Sequence, residues 1–97
     1  MLKKIRIESK LSNLRIVENT VDEITAELGI SYNNYGKILI TMLEAVNNAI
    51  IHGNKSSAKK FVDITIEFNK QKLKIKVKDE GTAFRLKRYL ILQFRKI

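Results

Sequence analysis

Between residues 61 and 78 the chain alternates apolar and polar side chains with almost no exception. Val62, Ile64, Ile66 and Phe68 fall on one side of Asp63, Thr65 and Glu67, and Leu73, Ile75 and Val77 fall on one side of Lys72, Lys74, Lys76 and Lys78. A period of two is the signature of a strand with one covered face and one wet face. Asn69 to Gln71 is the short hairpin loop between the two strands. A sheet of this kind needs a second layer over its apolar side.

Helices upstream supply that layer. From Leu14 the apolar positions Leu14, Val17, Val21, Ile24 and Leu28 step by three and four, while Glu18, Asp22, Glu23 and Glu27 fall between them. Ser12 is the expected N-cap and Gly29 the expected left-handed stop. Ser31 or Asn33 then opens a second helix through Tyr35, Ile38, Leu39, Met42, Leu43, Val46, Ala49 and Ile50, ending at Gly53-Asn54. It is apolar on most sides, so a central position is expected. Lys3 to Glu8 alternates as a short first strand. The expected architecture is an α+β two-layer sandwich, with an antiparallel or mixed sheet backing two long helices.

Composition narrows the function. At 97 residues the chain is expected to form one domain, with no apolar run long enough for a membrane span and no signal-peptide core at MLKKIRIESK. A cytoplasmic protein is the default expectation. The absence of cysteine and the presence of one histidine exclude disulfides and thiolate metal sites, leaving hard cations on oxygen ligands. The net charge of +9 sits largely in residues 85–97, which hold Arg85, Lys87, Arg88, Arg95 and Lys96 and no acid; residues 1–84 carry 14 basic against 10 acidic side chains. No motif that reads RNA or DNA accompanies it, so nucleic acid is not the expected partner. The lysines at 72 to 78 read as the solvated face of a strand near the sheet edge.

Two features carry chemistry. Glu44, Asn48 and His52 repeat every fourth position inside the apolar second helix, which stacks an acid, an amide and an imidazole on one helix face. His52, beside Gly53, also suits a simple interaction with the helix C-terminal carbonyls. Asp79 continues the phase of Leu73, Ile75 and Val77, so its carboxylate should point to the covered side of the sheet. A charge there needs a donor, from a local backbone turn or from a ligand.

These residues resemble a known family. Glu44-Ala-Val-Asn-Asn48-Ala-Ile-Ile-His52-Gly resembles the N box of the GHKL (Bergerat-fold) ATPases, and Val77-Lys-Asp79-Glu-Gly81-Thr-Ala-Phe84 resembles their first glycine box. Within that superfamily the chain is most similar to the small bacterial anti-sigma-factor serine/threonine kinases, over residues 1–84 of a single domain 1–97. The resemblance implies a histidine-kinase-like ATPase fold with ATP and Mg2+ as cofactors. It implies Glu44 as general base, Asn48 as magnesium ligand and His52 near the phosphates. Asp79 would accept from the adenine amino group, with Gly81 and Ala83 in the loop against the base. The implied partners are a small antagonist protein, phosphorylated on serine, and a sigma factor, with pairing into a homodimer.

Ala83 replaces the family's second glycine, and no glycine follows Gly81, where the family has a lid and a second glycine-rich box. A truncated or frame-shifted member, incomplete at the C-terminus, is the expectation. Two other readings stay open: a catalytically incomplete protein-binding module of the same fold, and a basic nucleic-acid-binding domain with steep salt dependence. The tail 85–97 has no clear period, and the sequence leaves its place open.

Overall fold

In the computed structural model, residues 1–81 are described in full and residues 88–93 as backbone. The elements run β1 (Leu2–Glu8), a 3₁₀ turn (Leu11–Asn13), α1 (Leu14–Leu28), α2 (Tyr32–Asn48), a π turn (Ala49–Gly53), β2 (Phe61–Asn69), β3 (Lys72–Lys78) and β4 (Arg88–Gln93). The four strands form one sheet in the order β1-β2-β3-β4, every pair antiparallel. The fold is α+β, as the alternation and the helical periods require.

Register explains why one face is dry. Ile5 pairs with Ile64 and Ile7 with Val62, while Ile64 pairs with Val77, Ile66 with Ile75 and Phe68 with Leu73. Each apolar residue therefore stands beside another on the helix side of the sheet. Against them pack Val17, Val21 and Ile24 of α1 and Ile38, Met42 and Val46 of α2, all at most 3% exposed. Each fully buried side chain of this size is worth roughly 1.5–3 kcal/mol of transfer free energy, and together they fix the register.

The ends of the elements differ in detail from expectation. Ser12 lies inside the 3₁₀ turn, and Asn13 takes the N-cap position of α1 without capping it, because its side-chain amide donates instead to the Glu8 carbonyl at 2.9 Å. Gly29 does stop α1 in the left-handed region, at φ 65°. Ser31 caps α2, its hydroxyl accepting from the Asn34 amide at 3.4 Å. In the hairpin loop both central residues, Lys70 and Gln71, have positive φ (50° and 66°), the twist that a two-residue hairpin requires.

Two expectations about position change. Helix α2 is not wrapped on all sides: Ile40 is 63% exposed and Glu44 is exposed, because the sheet and α1 cover only one flank. Strand β3 is not at the edge, because β4 pairs with it along its length; β1 and β4 are the edges. Part of the tail whose place the sequence left open is thus a strand, with Leu90 and Leu92 in register with Ile75 and Leu73. Among the described residues no helix is long and apolar enough to cross a membrane.

Candidate functional site

The last turns of α2 carry Glu44 and Asn48 four residues apart, Glu44 exposed and Asn48 half-buried. Beyond Asn48 the helix widens into the π turn, closed by the Asn54 amide donating to the Ala49 carbonyl at 2.8 Å. Each residue of a π turn advances less around the axis than in an α-helix, so His52 falls short of the line set by Glu44 and Asn48. His52 is exposed near the last carbonyls of the helix. The fourfold spacing therefore describes Glu44 and Asn48 well and His52 only approximately.

The turn delivers Gly53 to the end of β3. There the Asp79 carboxylate lies so close that a Cβ built on Gly53 would fall 2.0 Å from Oδ2, a position no side chain can occupy unless Asp79 moves. A Cβ on Gly81 would in turn meet the Gly53 carbonyl oxygen at 2.7 Å and Asp79 Oδ1 at 2.9 Å. Gly53, Asp79 and Gly81 form one close-packed corner joining the helix layer to the sheet. Asp79 thus has the inward phase expected of it. Its Oδ1 accepts from the Gly81 amide at 2.8 Å, so the local backbone turn supplies one donor. Oδ2 is held by packing against Gly53 rather than by a described hydrogen bond.

Beneath this corner sits Asn54, fully buried. Its Nδ2 donates to Ser9 Oγ at 2.7 Å and to the Phe61 carbonyl at 2.9 Å, and its Oδ1 accepts from the Glu80 amide at 2.7 Å. The Glu80 carboxylate accepts from the Phe61 amide. Sequence reading took Asn54 only as the helix stop. An asparagine after a helix-end glycine looks like ordinary turn chemistry, and only the burial separates it from one.

The donors present suit a nucleotide. The missing Cβ atoms let the Asp79 carboxylate seat against the backbone of Gly53 and Gly81, and that half-buried carboxylate offers an acceptor to an amino group. Among the described residues no group of three or more acidic or histidine side chains gathers to hold a metal. A divalent cation would therefore depend on ligand oxygens besides the Asn48 amide, as magnesium does when it arrives with phosphates. Ala83 lies outside the described residues.

A hollow of about 340 Å³ opens on the far face of the sheet between Lys4, Arg6, Asp63, Thr65, Lys76 and Lys78. It is wide open and separated from the glycine corner by the sheet itself. Arg6 crosses it to Asp63 with two hydrogen bonds, at 2.7 and 3.1 Å, and lies 5.1 Å from the Phe61 ring centroid. The Asp63 carboxylate raises the pKa of the Arg6 guanidinium, chiefly through that hydrogen bond.

Compared with known proteins, residues 7–89 match the family model of the histidine kinase-like ATPase domain. No curated protein matches the chain.

Proposed function

The chain belongs to the histidine kinase-like ATPase domain family, an ATP-binding branch of the GHKL superfamily, and from that premise we propose that it is a serine/threonine protein kinase of the anti-sigma-factor type. The observation that carries the reading is the corner of Gly53, Asp79 and Gly81 at the foot of the helix that bears Glu44 and Asn48.

Each residue has a definite task in this reading. Asp79, braced by Gly81 and Gly53, accepts a hydrogen bond from the adenine amino group. His52 stands toward the phosphates. Asn48 would offer its amide oxygen to magnesium, which would arrive with ATP and partly neutralise the charge of the transferable phosphoryl group. Glu44, exposed and therefore reachable by a second protein, accepts the proton of the substrate serine hydroxyl. That oxygen bonds to the γ-phosphorus as the bond to the bridging oxygen breaks, and ADP leaves. Such transfer asks the protein mainly for positioning and charge. The substrate is a small antagonist protein, and the regulated partner a sigma factor.

Calorimetric titration with magnesium-ATP tests the first half. The parent chain should bind and Asp79→Asn, whose side chain keeps the oxygen facing the Gly81 amide, should bind far more weakly. Incubation with γ-labelled ATP and candidate antagonist proteins tests the second half: a labelled serine is expected, and Glu44→Ala should abolish it. No ATP binding by the parent chain overturns the proposal. Binding without transfer supports the second reading, a protein-binding module of the same fold.

A further inference from the structure

Strand β3 ends its pairing with β2 at Lys78, opposite Asp63. Beyond that point no ladder bond to β2 holds Asp79, Glu80 and Gly81, although these residues carry the carboxylate on which the nucleotide reading depends. Their backbone is held from below instead. Asn54 Oδ1 takes the Glu80 amide, while Nδ2 of the same side chain takes Ser9 Oγ and the Phe61 carbonyl. Ser9 Oγ donates in turn to the Lys60 carbonyl at 2.8 Å, and the Glu80 carboxylate closes the circuit by accepting from the Phe61 amide.

The orientation of the Asn54 amide is fixed by this surrounding. A backbone N–H can only meet Oδ1 and a backbone carbonyl can only meet Nδ2, so the flipped amide would lose both bonds. No residue of similar size has an acceptor and two donors at those positions. A fully buried amide would otherwise cost stability; here one side chain satisfies strand ends that have run out of partners.

We infer that Asn54 is a positioning residue for base recognition: by holding the Glu80 amide it fixes the Asp79 carboxylate against Gly53. This rests on the reading of Asp79 as the adenine acceptor given above. Asn54 touches no ligand itself. Its effect passes through one peptide unit, from the Glu80 nitrogen to the neighbouring Asp79.

The three hydrogen bonds of Asn54 allow position and stability to be separated. In Asn54→Asp the acceptor for the Glu80 amide remains and the donors to Ser9 and Phe61 are lost; in Asn54→Ala all three bonds are lost. Dissociation constants for magnesium-ATP and magnesium-GTP are measured by calorimetry, well below the melting temperature, for the parent chain, both variants and Asp79→Asn. GTP is the probe because guanine presents a carbonyl where adenine presents its amino group, so a fixed carboxylate rejects it. Asn54→Asp should melt earlier yet keep the preference for ATP. Asn54→Ala should lose about tenfold of that preference, as expected for one freed hydrogen-bonding group. A preference unchanged in Asn54→Ala overturns the inference, since a merely structural role lowers melting temperature and leaves selectivity alone.

Should Asn54→Ala fail to fold, amide hydrogen exchange at Glu80 in the parent chain decides. Coupling is reciprocal, so saturating magnesium-ATP should slow exchange at Glu80, and no change overturns the inference. If Asp79→Asn keeps full preference for ATP, the adenine role of Asp79 is what fails. If Asp79→Asn loses it while Asn54→Ala does not, the failure belongs to Asn54 alone.

Discussion

Gly53 and Asp79 are packed so tightly that the space for a β-carbon on the first is filled by the carboxylate of the second. Twenty-six positions apart in the chain, they meet because the helix carrying one ends where the strand leading to the other runs out. Gly53→Ala should therefore push the Asp79 side chain aside or open the corner. Overpacking of this kind costs about 1–3 kcal/mol, and at this chain length each kcal/mol lowers the melting temperature by about 4–8 °C. Thermal melting combined with ATP titration checks both, with affinity expected to fall by at least about tenfold. An unchanged affinity would separate the corner from nucleotide binding.

Glu44 makes the opposite prediction. It is exposed, and no described hydrogen bond or ion pair engages it, so Glu44→Gln should leave stability within about 0.5 kcal/mol of the parent. ATP affinity should stay close to the parent's, while phosphoryl transfer falls by roughly 10²–10⁴, the usual contribution of a positioned base. Single-turnover labelling beside a denaturant melt measures the two quantities separately.

The pH dependence has a definite sign at Tyr35. Its hydroxyl donates to the Asp22 carboxylate across the α1–α2 seam, and that hydrogen bond, with some burial, pushes the phenol up from 10.0 to about 12. The folded chain thus keeps the proton at a pH where the unfolded chain has released it. The contact stabilises the fold fully below about pH 10 and its contribution is lost as pH rises through about 12. Phenolate absorbance should show a titration step near 12 that is missing in Tyr35→Phe. Melting temperatures of the two proteins, separate at neutral pH, should converge at the alkaline end.

The hairpin offers a change remote from the site. Lys70 holds φ 50° without being glycine, a conformation that asparagine tolerates better. Lys70→Asn should stabilise by some tenths of a kcal/mol, raising the melting temperature by about 2–4 °C, with ATP affinity unaltered. A chemical-denaturation midpoint that stays put or falls would show that the loop's twist is not limiting.

Much of the fold was legible because each periodic segment has one covered face. Most residues placed on the apolar faces of the two β-strands and of α1 are those the structure buries, with Leu14, Leu28 and Phe68 half-buried at its margins, and the inward phase of Asp79 followed from counting by two from Leu73. Element ends were harder. Ser12 has the chemistry of a cap, but Asn13 finds the Glu8 carbonyl and a 3₁₀ turn takes up the slack. The π turn has no signature in composition, and it depends on where Asn54 and Gly53 are held by residues distant in sequence. The same holds for Asn54 itself: its partners Ser9, Phe61 and Glu80 come from three segments, and no local pattern announces a side chain whose role is to join them.

The π turn between Ala49 and Gly53 has a consequence for how this chain tolerates change in length. A π turn closes on the fifth residue where an α turn closes on the fourth, so deleting one residue there and letting ordinary winding resume would keep both the hydrophobic stripe upstream and the approximate bearing of the terminal glycine on the aspartate. The wider coil has absorbed one peptide unit, and a loss of one residue is better borne here than in the regular turns of α2.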